Sequence, residues 1–332
     1  MSVNPDVAHH TDAEPSRSEF SNVKVSRKLA MAGGIYWFEL RLPDGGDLPA
    51  FTAGAHVTVQ VPNGMRRNYS LCSNPADTGF YQIAVKRDHA GRGGSISMAD
   101  EVHEGGLLAI SAPRNNFALN PRAAKFLFVV GGIGITPVLS MMRHLKSQGN
   151  DNFKLIYCTR DAASTAFLDE LAGPEFAPHV QIHHDHGDLN QAFDFWPVFE
   201  SPSNAHVYCC GPRGLMEAVT DMSGHWSPGA IHFESFGADA SANAANTTFT
   251  VRLHKSGEII AVRAEQSILE ALRACGHRVS SSCESGTCGS CRTGLLGGEA
   301  EHRDMVLGDD EKASHIMVCV SRAKSAELLL DL

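Results

Sequence analysis

Residues 126–137 read FLFVVGGIGITP, an apolar run that enters Gly131, Gly132 and Gly134 before Thr136 and Pro137. Residues 138–146 then carry helical spacing, so the order is strand, glycine turn, helix. A helix entered through such a turn offers backbone N–H groups and the positive end of its dipole to a phosphate. Thr136 is placed to cap that helix and Pro137 to take its first position. Pro137 stands where the third glycine of a GxGxxG fingerprint would be, so a tight strand-to-helix connection without a ligand is the competing reading.

Working outward, apolar runs recur at residues 155–157, 180–183 and 207–210, alternating with helical stretches as far as Phe236. This predicts an α/β parallel-sheet domain over residues 122–236. Ligands meet such sheets at the carboxyl ends of the strands, which singles out Cys210 and Gly211 after the strand at 207–210. A buried structural cysteine is the plainer reading of Cys209 and Cys210. On the N-terminal side, residues 19–121 hold short β-rich runs at 36–42, 56–61 and 81–85, separated by Gly, Pro, Asn and Asp, which suits an antiparallel β-barrel domain. Residues 1–18 show no hydrophobic period and read as a mobile tail. The stretch 237–247, GADASANAANT, is small and polar and reads as a linker. Beyond it, residues 248–332 show a hairpin around Ser256 and Gly257 and a helix over 267–274, the order of a compact α+β domain.

The 332 residues carry 28 Lys and Arg against 37 Asp and Glu, a formal charge of -9. That balance argues against nucleic acid or an anionic membrane as partner. No run approaches the roughly 20 apolar residues of a membrane span, and the polar start lacks a signal peptide's apolar stretch, so a cytoplasmic protein is expected. Nine cysteines, an odd number, fit reduced thiols or metal ligands better than a disulfide framework.

Four of them, Cys283, Cys288, Cys291 and Cys319, follow the C-x4-C-x2-C…C spacing of a plant-type [2Fe-2S] cluster. Gly286 and Gly289 would let the loop curl by taking positive φ. Structural zinc competes, but it draws its ligands as two short pairs. Cys275 breaks the spacing and reads as a buried thiol on the preceding helix. In the N-terminal region, Arg67, Tyr69 and Ser70 follow a strand, and Lys86 leads into Arg92, Gly93, Gly94 and Ser95 ahead of a helix. Glycines and a serine at a helix start, with an arginine nearby, suit a phosphate. The run from His183 to Asp188 has the residue types of a metal site, but adjacent strand side chains face opposite ways, so His183 and His184 do not share an ion there. His56 reads as a satisfied histidine at the barrel edge.

The order RNYS, GRGGS, GGIGITP, CCGP, ESFGA and the terminal cysteine spacing resembles the phthalate dioxygenase reductase family from about Ser21 to Leu332. That resemblance implies a multidomain NADH-dependent oxidoreductase with an FMN-binding barrel, an NADH-binding α/β domain and a β-grasp [2Fe-2S] domain. It implies that Arg67 contacts the FMN phosphate, Tyr69 lies against the flavin and Ser70 sits at its reactive edge. Arg92, Gly93, Gly94 and Ser95 would hold the phosphate end, with Ala84, Val85 and Lys86 along the ribityl chain. Gly132, Gly134 and Thr136 resemble the pyridine-nucleotide loop, and Thr159, Arg160 and Asp161 the adenosine-ribose side. Cys210 and Gly211 would lie near nicotinamide, and Phe236 would cover the flavin where nicotinamide enters. Ser70, Cys210 and Phe236 are the residues expected at the reacting atoms. The implied acceptor is a Rieske-type oxygenase acting on aromatic acids, and the implied state is a monomer. A P450 or diiron hydroxylase as acceptor, or a non-catalytic iron-sulfur module, is the alternative. A flavin belongs between the other two centres because a nicotinamide gives two electrons together and the cluster takes one. Asp161 would accept from ribose hydroxyls and repel a 2′-phosphate, and Arg160 beside it works the other way.

Overall fold

The computed structural model describes residues 20–91, 93–236, 246–281, 284, 286–287 and 289–332. The expected tail and most of the expected linker, together with Arg92, Cys283 and Cys288, lie outside the described residues. The described chain divides into two compact units, residues 20–236 and residues 246–332.

The first unit opens with six strands: β1 (Phe20–Ala32), β2 (Ile35–Arg41), β3 (His56–Gln60), β4 (Arg66–Ser70), β5 (Tyr81–Lys86) and β6 (Leu107–Ser111). They form an antiparallel sheet in the order β4-β3-β6-β1-β2-β5. A bridge between Leu71 and Ile83 joins the two edges, so the sheet closes as a barrel. Strand periodicity sends Val23, Val25, Phe38, Leu40, Val57, Val59 and Ile83 inward to one core. Arg66–Ser70 is itself a strand, where the sequence suggested a segment after one. An edge strand tolerates its polar residues because one side has no neighbouring ladder. Helix α1 (Gly94–Glu101) lies between β5 and β6.

The same unit continues as a parallel sheet of β7 (Phe126–Gly131), β8 (Phe153–Thr159), β9 (Val180–His184), β10 (His206–Cys210) and β11 (Ile231–Glu234). The order β11-β10-β7-β8-β9 reverses between β7 and β10, the position at which open α/β sheets form a ligand crevice. Every residue of β7 is buried, as a central parallel strand requires. Helix α2 (Ile135–Ser147) follows β7; α3 (Leu168–Leu171), α4 (Trp196–Phe199) and α5 (Arg213–Ser223) complete the layer. One apolar cluster joins barrel residues Ile35, Trp37, Ala53, Cys72 and Ala84 to Phe128, Val138, Met141, Met142 and Tyr208. The barrel and the parallel sheet therefore share a core.

The second unit holds β12 (Phe249–Leu253), β13 (Ile259–Val262), α6 (Ile268–Ala274), β14 (Arg292–Gly297), β15 (Ala300–Glu301), α7 (Asp309–Lys312), β16 (His315–Met317), β17 (Arg322–Ala323) and β18 (Glu327–Leu330). Its main sheet runs β13-β12-β18-β14-β16, with β12 and β18 parallel and the other pairs antiparallel. Ser267 and Glu270 form a reciprocal capping box that starts α6, whose Ile268, Leu269 and Leu272 enter the core. The helix stops at Ala274, so Cys275 caps it and is exposed, not buried as its helical register suggested. No helix among the described residues is long and apolar enough to cross a membrane.

Candidate functional site

The barrel edge collects the residues singled out for a flavin. Arg67 and Tyr69 share one face of β4, opposite Val59 and Val57, and Ser70 faces the other way beside His56. The Tyr69 hydroxyl and Ser70 Oγ are both buried with no hydrogen-bond partner among the described residues. Leaving a buried hydroxyl dry costs about 1–3 kcal/mol, so each of these atoms, one on either face of the strand end, calls for a polar partner from a ligand. Burial pushes the Tyr69 phenol well up from its ordinary value, with Arg67 pulling the other way. The phenol there is a neutral donor.

Next to this strand, α1 begins at Gly94 after Gly93, which sits at φ +87. A Cβ on Gly94 would lie 2.6 Å from Arg67 Nε and 2.9 Å from its Cγ, so the absence of a side chain is what lets Arg67 cross the helix start. Arg67 Nη1 donates to the Arg66 carbonyl over 2.7 Å, which orients the guanidinium. Ser95 Oγ accepts from the Asp88 amide at 3.1 Å and so ties the glycine loop to the end of β5. Ala84 packs into the core shared with the parallel sheet, Val85 into the barrel core, and Lys86 is exposed.

At the crevice between β7 and β10, the two strand-to-helix turns touch backbone to backbone. A Cβ on Gly134 would lie 2.1 Å from the Cys210 carbonyl oxygen, and one on Gly211 would lie 2.9 Å from the Gly131 nitrogen. Gly132 takes φ +53, and its carbonyl accepts from the Tyr157 hydroxyl at 2.9 Å. The helix starts earlier than its sequence suggested: Gly134 is the cap of α2, and Thr136 and Pro137 lie inside its first turn. Thr136 Oγ1 donates to the Ile133 carbonyl at 3.0 Å instead of capping.

The neighbouring turn after β8 differs from expectation in detail. Thr159 Oγ1 lies between Thr165 Oγ1 at 2.8 Å and His184 Nδ1 at 2.9 Å, so its hydroxyl is engaged inside the layer. Asp161 Oδ1 accepts from the Ser164 amide at 2.8 Å in a reciprocal capping box. Those Ser164 contacts hold the Asp161 carboxyl below the ordinary carboxylate range, with His184 and His186 assisting. Arg160 is exposed. His183 Nε2 is 2.7 Å from the Gln191 carbonyl, on a different partner from His184.

Cys210 is fully buried, and burial pushes its thiol well up, helped by Glu234 and Cys209. Glu234 lies directly across from it on β11, a strand not read from the sequence. Phe236, two residues past that strand, is exposed. Tyr157 and Glu234 were not singled out from the sequence, since nothing in their local pattern separates them from ordinary strand residues.

In the second unit Cys291 and Cys319 are buried in one core cluster. Gly286 and Gly289 sit at φ +77 and +81. A Cβ on Gly286 would lie 2.7 Å from Val320 Cγ2 and 3.1 Å from Asp304 Cα, so the absence of a side chain lets Gly286 itself approach Val320 and Asp304. Asp304 Oδ2 accepts from the Val306 and Leu307 amides at 3.2 and 2.9 Å, and the Met305 amide donates to the Gly286 carbonyl at 3.0 Å. Two thiols held beside a glycine-formed loop are a donor set that suits an iron-sulfur cluster. The dry hydroxyls and the Arg67–Gly94 cradle suit a phosphorylated flavin equally well.

The fold and these sites define a flavin and iron-sulfur oxidoreductase. The profile of the family described as "Oxidoreductase FAD-binding domain" matches residues 22–119, and that of the "2Fe-2S iron-sulfur cluster binding domain" matches residues 251–324. The phthalate 4,5-dioxygenase oxygenase reductase subunit of Pseudomonas putida is 58% identical over 314 residues, covering 94% of this chain and 97% of its own. The phthalate dioxygenase reductase of Burkholderia cepacia is 57% identical over 319 residues, covering 96% and 99%. A solved phthalate dioxygenase reductase, described as a modular structure for electron transfer from pyridine nucleotides to [2Fe-2S], superposes with a TM-score of 0.78. That match has 57% identity and covers 95% of this chain and 98% of the other. The chain belongs to the phthalate dioxygenase reductase family. It is the reductase component of an oxygenase system, with a flavin domain and a [2Fe-2S] domain.

Proposed function

We propose that this chain takes electrons from NADH onto FMN, passes them to a [2Fe-2S] cluster and delivers them to the Rieske-type oxygenase of a phthalate-like aromatic-acid system, as a cytoplasmic monomer. The observation that carries the flavin half is the pair of dry, buried hydroxyls on Tyr69 and Ser70 beside the Arg67–Gly94 cradle. Bound flavin and cluster would supply the change from a paired to a single-electron carrier.

The chain's own residues do the rest. Arg67 and the start of α1, with Arg92, Gly93, Gly94 and Ser95, would neutralise and orient the FMN phosphate. Tyr69 would donate its hydroxyl hydrogen and present its ring, and Ser70 would donate to the ring edge. The side chains of Ala84 and Val85 are in the two cores, so those residues would meet the ribityl chain through their backbone, with Lys86 at the strand end. Gly132, Gly134 and Thr136 would receive the dinucleotide, with Arg160 and Asp161 on the adenosine-ribose side and Thr159 holding that turn from beneath. Cys210, kept a neutral thiol by burial, would line the nicotinamide pocket with Gly211 and Phe236. Cys283, Cys288, Cys291 and Cys319 would ligate the cluster. The corresponding modules are residues 19–121, 122–236 and 248–332, with 237–247 as a linker.

The test is an anaerobic titration of the purified protein with NADH, after flavin and iron have been counted. One FMN and two irons per chain, both bleached by NADH far more readily than by NADPH, are expected. A flavin that stays oxidised under NADH overturns the proposal. Acceptor choice is read separately, by supplying the reduced protein with purified Rieske, P450 and diiron acceptors.

A further inference from the structure

Between the flavin strand and the nucleotide helix lies a charged group that no step above uses. Arg143, on α2, is largely buried, and all three of its nitrogens are engaged. Nε and Nη2 donate to the two oxygens of Glu170 at 2.8 and 2.7 Å, and Nη1 donates to the Cys72 carbonyl at 2.7 Å and to Gln82 Oε1 at 2.8 Å. Glu170 belongs to α3 in the nucleotide layer, whereas Cys72 and Gln82 belong to the barrel. One turn earlier on the same face of α2, the buried Ser140 Oγ donates to the Ser73 carbonyl at 2.8 Å. Cys72 and Ser73 come directly after Ser70 and Leu71, where β4 ends, and the Cys72 amide donates to the Gln82 carbonyl at 2.8 Å.

Two side chains of α2 are thus fastened to the stretch of barrel that leaves the flavin edge. The same helix begins at Gly134–Thr136, and Thr136 lies about 6 Å along the axis from Ser140 and about 10 Å from Arg143. A helix this short moves as a rigid rod, so any slip at Arg143 reappears at the nucleotide loop. The surrounding contact, Cys72, Ala84, Val138, Met141 and Met142, is apolar and sets no direction of its own. The planar guanidinium fork, held in orientation by Glu170, supplies that direction.

We propose that Arg143, with Ser140, is a positioning residue for transfer from nicotinamide to flavin, fixing the separation between the Gly132–Thr136 loop and Ser70. This rests on the flavin and nucleotide sites proposed above. Transfer of this kind needs near-contact geometry, and a misplacement of about 1 Å costs about a hundredfold in rate.

The test uses the full-length, flavin-loaded protein and anaerobic rapid mixing with NADH. Arg143→Gln is expected to lower the limiting rate of flavin bleaching by about tenfold or more, with the NADH dissociation constant within about threefold of the parent. The long-wavelength absorption of nicotinamide against flavin should weaken, and hydrogen exchange at the 71–73 amides should quicken. Arg143→Lys, which keeps the charge but loses the fork, and Ser140→Ala should each slow bleaching less while retaining flavin and thermal stability. These two carry the test if Arg143→Gln folds poorly. Parental bleaching rates in both, or an effect confined to the dissociation constant, overturn the proposal. A parent protein that NADH does not bleach overturns the functional reading as well, so the two failures are distinguishable.

Discussion

Gly94→Ala separates the stability of α1 from the binding of a flavin phosphate, because the two should move in opposite directions. Gly94 is the first residue of α1, and alanine is favoured over glycine in helices by up to about 1 kcal/mol, less at an end. The added methyl would sit 2.6 Å from Arg67 Nε, 2.9 Å from Cγ and 3.1 Å from Cζ. A real side chain tolerates none of the closest of these, and the group that yields is the flexible arginine, not helix backbone. Arg67 would swing off the helix start and lose the contact with the phosphate proposed for it. A hydrogen bond to a charged group is worth about 1.5–3 kcal/mol, so flavin affinity should fall between about tenfold and about a hundredfold. The assay is quenching of flavin fluorescence on titrating the flavin-free protein, with thermal unfolding recorded alongside. Unchanged or slightly raised stability with weakened flavin binding is expected. Binding within about twofold of the parent would refute the claim that Arg67 and the start of α1 form the cradle.

Gly134→Ala should cost about 3 kcal/mol, the upper end for overpacking, because its methyl would meet the Cys210 backbone at 2.1 Å; Gly132→Ala, in open space at φ +53, should cost nearer 1 kcal/mol. Urea unfolding of the two variants reads the difference. His232, whose Nε2 is 2.9 Å from His206 Nδ1, is held below the ordinary histidine value by burial and then by His206. A base depressed in the folded state loses stability as pH falls, so the melting temperature of the first unit should drop between about pH 7 and about pH 5, and less steeply in His232→Phe. Cys291→Ser should abolish the iron-sulfur absorption and resonance signals yet leave NADH bleaching of the flavin intact, since residues 20–236 have their own core.

The large architecture was legible because burial and period coincide. Every residue of β7 is apolar or glycine, and the hydrophobic positions of β3 and β5 line a core, so the strand positions were evident. The features that are not legible in the sequence are hidden for local physical reasons. Arg66–Ser70 does not read as a strand because an edge needs little apolar surface, and Ile231–Glu234 alternates apolar and polar residues over only four positions, too few to stand out. The start of α2 reads late in the sequence because Thr136 and Pro137 have capping chemistry, yet a 3-10 turn over Gly132–Gly134 already begins the coil, with Gly134 as a cap that has no side chain. Asp161 shows the opposite case, a signal that was present: Asp161 and Ser164 stand at the spacing of a cap and its third residue, so the carboxylate's role in the turn was readable beside its proposed role toward ribose. Arg143 gave no signal at all, since its four bonds join segments far apart in the chain and a helix arginine looks the same whether buried or solvated.

The sharing of one apolar cluster by the barrel and the parallel sheet matches the exchange proposed to happen between them. Reacting atoms in a hydride transfer must stand about 3–3.5 Å apart, which is tighter than a hinge between separately folded domains maintains. Packing Cys72 and Ala84 of the barrel into the same cluster as Val138 and Met141 of α2 removes such a hinge. The close approach of Gly54, whose Cβ would lie 2.2 Å from the Phe117 carbonyl and 2.8 Å from Met141 Cε, shows that barrel, connecting segment and α2 meet without slack. Apolar packing of this kind resists separation and large slips but sets little directional preference against small ones, and small slips are the motion that would spoil the transfer. Directional bonds are therefore needed at that contact, and Arg143 and Ser140 supply them where β4 leaves the proposed flavin edge.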